Sequence, residues 1–321
     1  MPEILALLQA LQPLISQTTL QQMSHVIQAM LSMSGRITML GLSRWTEGGG
    51  SYRTIQRWYH TPLLWLQIQW LFFVNRIYKS GHEYIAAGDE VVFGKAGKET
   101  YGLGRFFSSV QNRSISGLSF FTFSVIDVNE RQSYPVQSVQ MIKEQEGEAA
   151  QKIVEPEKRL PGRPKGSSNK SVTLGAELLR IQPVLQAFWA VLKGTLAVQY
   201  LVMDGHFGNY PSAWMVLQTG LQYVSKLRAD AALYEPFAGK QAKRGARRKY
   251  GDKIDVHKIK KKYLQSDRQE QGIRTQIYQA TLLNQVFGFP LNVVVILKTN
   301  LSSQAKAHII LFSTDLELSY E

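Results

Sequence analysis

The spacing of hydrophobic residues changes once along the chain, at about residue 80. Before that point, apolar side chains recur three or four positions apart, as over residues 4–11 and 23–31, which is the spacing of amphipathic helices. After it, the apolar runs are short and rich in β-branched and aromatic residues, which is typical of strands. The pattern predicts an α/β fold preceded by a helical domain.

The same pattern gives approximate positions for individual elements and domains. Strands are predicted at 83–93, 116–128, 134–139, 199–203, 276–286, 291–297 and 307–312, and two later helices at 174–193 and 211–219. A polar stretch over about 143–172 predicts an exposed linker. We therefore expect a helical domain at 1–80, a core at 81–225 that includes this linker, and a basic, strand-rich region at 226–321.

Residues 37–59 have the outline of a helix-turn-helix. A short helix at 37–45 is followed by a glycine-rich turn and a second helix at 52–59. Arg53 and Arg57 are four positions apart and share one exposed face, while Ile55, Trp58 and Tyr59 can face inward. Two interpretations stay open, namely DNA recognition through the two arginines and an ordinary helical domain whose arginines are solvated.

Composition narrows the classes of partner and site. The 321 residues carry a formal net charge of +13, which favours a polyanionic partner such as DNA, RNA or an anionic membrane. The chain has no cysteine, which excludes disulfides and cysteine-ligated zinc or iron–sulfur sites. The most apolar early run, at 63–74, is shorter than the roughly 20 residues of a membrane span. We expect a cytoplasmic protein that binds nucleic acid and no membrane.

Two strand-like segments each carry an aspartate, Asp89 and Asp204. An ionised carboxylate in so apolar a run must be neutralised, paired or bound to a cation. Asp204 is placed at the carboxyl end of a strand, where α/β sheets usually bind ligands. Two such oxygen ligands suit Mg²⁺ or Mn²⁺ better than zinc. The alternative is that Asp89 caps a turn and Asp204 caps the following helix.

Several segments resemble bacterial DDE-type insertion-sequence transposases. Residues 88–104 are similar to the first catalytic block of that family and residues 202–209 to its second. Residues 227–234 and 311–315 match further segments, so the resemblance extends over most of 35–321. It implies a ribonuclease H-like core with a β-rich insertion, preceded by the helical DNA-binding domain. It also implies that Asp89 and Asp204 are catalytic and hold Mg²⁺ or Mn²⁺ in a two-metal site.

The resemblance also implies an activity, but this sequence departs from the family pattern at one catalytic position. The family cuts transposon ends and joins them to target DNA, and its third acid is a glutamate in the pattern Tyr-x-x-Arg-x-x-x-Glu. No such pattern follows Ser313 and Thr314, and the sequence ends at Glu321. We therefore expect that this chain is truncated and binds DNA without cleaving it. The alternatives are a regulator of a full-length transposase and a decayed gene fragment.

Two basic segments are further candidates for DNA contact. Residues 158–170 resemble an AT-hook around Arg163 and Lys165, or are simply a solvated linker. Residues 240–262 hold eleven lysines or arginines against two acids. The candidates for contact with DNA phosphates there are Lys243, Arg244, Arg247, Arg248 and Lys249, and the alternative is that the segment is simply a solvated face. The expected partners are double-stranded transposon-end and target DNA at the bacterial nucleoid, with homo-oligomers or mixed oligomers with a full-length transposase.

Overall fold

The computed structural model describes residues 2–46, 48–97, 99–142 and 172–321, and the chain divides into two compact units. One unit comprises the described residues of Met1–Tyr84, Phe123–Gln137 and Ala187–Ala197, and the other those of Ile85–Thr122, Ser138–Gln186 and Val198–Glu321. The described residues form seven α-helices: α1 (Pro2–Leu8), α2 (Gln17–Ser32), α3 (Met39–Trp45), α4 (Tyr52–Tyr59), α5 (Trp65–Arg76), α6 (Ala176–Leu192) and α7 (Tyr210–Leu217).

Helices α1 to α5 pack around two small apolar clusters. One joins Leu11 and Leu20 with Ile68 of α5, and the other joins Val26 of α2 with Leu42 of α3 and Ile55 of α4. Each residue that forms these contacts is almost fully buried. None of the helices in the described ranges is long and apolar enough to cross a membrane.

Helices α3 and α4 lie where the sequence predicts the helix-turn-helix outline. The turn between them uses Gly48 and Gly50 with φ of 81° and 88°, a left-handed conformation that glycine adopts without steric cost. Arg53 and Arg57 are both exposed. Tyr59, for which the sequence predicts an inward-facing position, is 42% exposed because it lies in the last position of the helix. DNA recognition by α4 stays a prediction.

In the described ranges, twelve strands form one mixed sheet. They are β1 (Tyr84–Gly94), β2 (Gly104–Ser108), β3 (Arg113–Asp127), β4 (Gln132–Gln140), β5 (Tyr200–Met203), β6 (Gln222–Leu227), β7 (Leu233–Pro236), β8 (Tyr250–Lys253), β9 (Leu264–Glu270), β10 (Ile273–Asn284), β11 (Pro290–Asn300) and β12 (Lys306–Ser313).

The order of these strands is β2-β3-β1-β5-β6-β12-β11-β10-β7-β8, with β4 paired to β3 and β9 paired to β10. The β1–β5 and β5–β6 pairs are parallel, whereas β6 meets β12 in antiparallel register. A large mixed sheet with helices is compatible with the ribonuclease H-like core that the resemblance implies. All seven predicted strands are present, and β2 and β6–β9 are additional.

Candidate functional site

Asp89 and Asp204 come together where β5 ends beside β1. The parallel register pairs Gly88 with Met203, so the next position along each strand places Asp89 beside Asp204. Neighbouring strands are about 4.8 Å apart. Both side chains are exposed and line the same cavity, which belongs entirely to the second unit. The structure therefore brings together the two acids that the sequence singled out, although they are far apart in the chain.

Each aspartate uses one carboxylate oxygen locally. Asp204 Oδ1 accepts a hydrogen bond from His206 N at 3.1 Å and thereby caps the short 3-10 turn Gly205–Phe207. Asp89 Oδ1 accepts one from Glu90 N at 2.8 Å. Within the described ranges, the Oδ2 atom of neither aspartate has a hydrogen bond or ion pair. Capping therefore accounts for one oxygen of each group and leaves the other available to a ligand.

The turn after Asp204 is fixed against strand β6. Ser225 Oγ donates a hydrogen bond to the carbonyl oxygen of Asp204 at 2.8 Å. A side chain at Gly208 would place its Cβ 1.9 Å from the carbonyl oxygen of Lys226, so only glycine allows this close approach. These contacts hold the backbone of Asp204 in one position at the end of its strand.

The cavity has a volume of about 780 Å³ and contains further charged residues. Glu90 of β1 accepts a hydrogen bond from Ser119 Oγ. Glu177 at the start of α6 lies 3.1 Å from His206, measured from Oε2 to Nε2. Burial lowers the pKa of His206, but the hydrogen bond with Glu177 and the negative charges of Glu177, Asp204 and Glu90 together outweigh burial, so the pKa is raised. Four carboxylates thus share one cavity.

Arg180 supplies a cation to this carboxylate-lined cavity. It lies one turn after Glu177 on α6, and its Nη1 donates to the carbonyl oxygen of Ile142 at 3.4 Å. Its Nε is buried and has no hydrogen-bond partner in the part of the chain that the structure describes. An unpaired buried donor is costly, so a ligand that supplies an acceptor would bind here favourably.

The sequence analysis missed three of these residues. Glu177 and Arg180 are three positions apart on a predicted helix, which places them on one face, but the sequence does not show what that face meets. The third missed residue is His206. Its position two residues after Asp204 was the available signal.

The donor chemistry of the cavity fits Mg²⁺ or Mn²⁺, because both prefer carboxylate oxygens. Asp89 and Asp204 supply such oxygens, and Glu177 lines the same cavity. Among the described residues, however, no group of three histidine or acidic side chains is already arranged to hold an ion. An ion bound by the two aspartates would therefore take its remaining ligands from water or substrate oxygens.

The basic candidates lie at several separate positions. Arg53 and Arg57 line a shallow depression on α4 with Gln56 and His60. Arg163 and Lys165 lie outside the described residues. Lys243, Arg244, Arg247, Arg248 and Lys249 are all exposed in the connection between β7 and β8.

Comparison with known families gives one informative match. The family model described as DDE superfamily endonuclease matches residues 9–285, a range that includes both aspartates, Glu177 and the basic connection. A search of curated proteins found no match. The match covers well over half of the chain and confirms the relationship to DDE-type transposases that the sequence motifs predict. This chain therefore belongs to the DDE superfamily of endonucleases.

Proposed function

We propose that the chain binds transposon-end DNA and that Asp89 and Asp204 are the catalytic carboxylates for phosphodiester hydrolysis and strand transfer. The observation that carries this proposal is the meeting of the two aspartates at the end of β5, each with one carboxylate oxygen that has no partner in the described part of the chain. A carboxylate that lacks a cation partner in a chain of net charge +13 is well suited to a divalent ion.

In this proposal, Asp89 and Asp204 are the metal ligands, and their positions are set before the ion binds. Mg²⁺ or Mn²⁺ held there would activate the attacking oxygen and stabilise the leaving oxygen of the phosphodiester. The backbone hydrogen bonds to each Oδ1 restrict rotation of the carboxylates, and Ser225 holds the Asp204 backbone. Arg180 donates from its guanidinium to an oxygen of the bound phosphate.

DNA contact is assigned to two exposed basic groups. The Arg53 and Arg57 face of α4 is proposed to lie against duplex DNA, as the second helix of a helix-turn-helix does. The exposed basic connection between β7 and β8 is proposed to contact phosphates. An AT-hook around Arg163 and Lys165 stays a prediction from the sequence.

The test is a cleavage and binding assay on terminal-repeat DNA with Mg²⁺ or Mn²⁺. The catalytic assignment expects nicking that Asp89→Asn and Asp204→Asn each abolish while DNA binding is retained. Nicking that survives both substitutions, or the absence of DNA binding, would overturn it.

A second candidate is a DNA-binding regulator that forms homo-oligomers or mixed oligomers with a full-length transposase. It rests on the exposed basic groups of α4 and of the β7–β8 connection, which can bind DNA without cleaving it. In the same assay it predicts tight binding to terminal repeats without nicking at any metal concentration. It also predicts that the chain inhibits cleavage by an intact relative.

A further inference from the structure

Strands β7 and β8 are joined by a loop, residues 237–249, that carries a high positive charge. The loop contains six lysines or arginines and no acidic residue. The two strands pair in antiparallel register, with Pro236 opposite Tyr250. Beyond Phe237, every residue of the loop is exposed. A loop of this length and charge would ordinarily sample many conformations.

Four hydrogen bonds and a cation–π contact hold this loop closed. Phe237 N donates to Lys249 O at 2.9 Å. Further along, the Gln241 side chain bonds the backbone of Arg248 twice, from Nε2 to the carbonyl oxygen at 2.8 Å and from the amide nitrogen to Oε1 at 2.9 Å. The Arg248 guanidinium carbon lies 4.8 Å from the centre of the Phe237 ring. Its Nε also donates to Tyr250 O at 3.0 Å.

These contacts divide the loop into two parts, which we call the clip and the tip. We define the clip as Gln241 and Arg248, whose side chains are engaged inside the loop. The tip is residues 242–247, which the clip encloses. Its cations, Lys243, Arg244 and Arg247, are exposed and have no acidic partner among the described residues.

Two lysines later in the basic segment 240–262, Lys260 and Lys262, do have an acidic partner. Lys260 Nζ lies 2.6 Å and Lys262 Nζ 3.2 Å from the carboxylate of Glu235, and Tyr263 OH donates to the same group at 2.5 Å. The hydrogen bond with Lys260, followed by that with Tyr263, lowers the pKa of Glu235 to about 2. These lysines are already paired, so they have less positive charge to offer a polyanion.

We propose that the tip is a preorganised contact for the phosphate backbone of duplex DNA. Lys243, Arg244 and Arg247 each contact phosphates, whereas Gln241 and Arg248 are positioning residues that hold the loop closed. This inference rests on the proposed DNA binding and adds a division of labour within residues 240–262. A preformed loop loses less conformational entropy on binding than a free one. Cations without a protein partner release counterions from DNA when they bind.

The test measures binding of the full chain to a short fluorescein-labelled duplex of mixed sequence between about 50 and 200 mM salt. The first variant is K243Q/R244Q/R247Q. Its charge-matched control is R268Q/K298Q/K306Q, which removes three exposed cations from β9, β11 and β12. Both variants carry the same net charge, so a difference between them reports the location of the charge.

The tip variant is expected to reduce the slope of log affinity against log salt by about 2.7, since each lost phosphate contact reduces it by about 0.9. The control is expected to keep most of the wild-type slope. Equal changes in the two variants, or an unchanged slope in the tip variant, would overturn the inference. The wild-type chain separates this failure from a failure of the proposed function, which would show as no duplex binding at all.

A third variant, Gln241→Ala, tests the clip. It keeps all the charges, so the slope is expected to stay at the wild-type value while affinity falls several-fold at every salt concentration. Thermal unfolding of this variant is expected to match the wild type, because the loop is exposed. Wild-type affinity in Gln241→Ala would show that the clip does not organise the tip for binding.

Discussion

Two sets of acidic residues in the second unit, Glu235 on one side and Asp89 with Asp204 on the other, differ in how their charge is balanced. Glu235 of β7 has two lysines and a tyrosine hydroxyl within hydrogen-bonding distance of its two oxygens. Among the described residues, Asp89 and Asp204 each have a single backbone amide as partner, at one oxygen. The chain has more than enough cations to pair every acid, with 37 lysines and arginines against 24 acidic residues.

This difference separates a structural acid from a candidate ligand-binding acid. A carboxylate that stabilises the fold is satisfied within the protein, as Glu235 is. A carboxylate that binds a cation must keep an oxygen free. It therefore adds little to the free energy of unfolding until the ligand binds. This distinction can be tested by substituting each acid with its amide, which removes the charge and changes the shape of the side chain very little.

The largest effect is expected on metal binding by Asp89→Asn and Asp204→Asn. The amide keeps an oxygen for the capping hydrogen bond, so the unfolding temperature should change little without metal. Affinity for Mn²⁺, measured by calorimetry, should fall by more than the roughly 10–100-fold that loss of an outer-shell partner causes. If both variants lose stability and keep Mn²⁺ affinity, capping is the role of these residues.

Glu235→Gln is the matched control and should show the reverse. Loss of the charged hydrogen bonds is expected to lower the free energy of unfolding by about 1–2 kcal/mol at neutral pH, with Mn²⁺ affinity unchanged. Because the pKa of Glu235 is lowered in the folded state to about 2, its stabilisation exists above the ordinary carboxyl pKa. It is lost as the pH falls toward 2.

The wild type and Glu235→Gln should therefore converge in stability when denaturant unfolding is repeated at decreasing pH. A difference that persists in strong acid would mean that packing of the Glu235 side chain, and not its charge, stabilises this region. A loss of Mn²⁺ affinity in this variant would remove the distinction between the two groups of acids.

Much of the fold and part of the site could be predicted from the sequence. Short apolar runs rich in β-branched and aromatic residues identified the central strands, and the resemblance identified Asp89 and Asp204. The strands that were missed lack this signal. Strand β7 contains Glu235 and Pro236, and β8 is a four-residue strand with Asp252 and Lys253. Their pairing is stabilised by long-range contacts, which local propensity does not contain.

The pairing of charged side chains could not be predicted from the sequence for a similar reason. All eleven cations of residues 240–262 are equivalent in composition, and only the folded chain shows that Lys260 and Lys262 face Glu235 while Arg248 closes the loop. Likewise, the first turn of α6 reads as an ordinary helix start. Its Glu177 becomes a candidate ligand only because the fold places it beside His206.

Glu177 is intermediate between Glu235 and the two aspartates in how its charge is balanced. The smallest fall in Mn²⁺ affinity is therefore expected for Glu177→Gln. Its carboxylate lines the cavity with Asp89 and Asp204 but is engaged by the His206 ring, with both oxygens within 3.3 Å of Nε2. Metal binding through Glu177 would have to break that contact, so the gain from its charge is partly offset. We expect Mn²⁺ affinity to fall by less than about tenfold, well short of the loss expected for the two aspartates. A loss as large as theirs would show that Glu177 is a full third ligand, and the cavity would then hold a complete set of three acids within this chain.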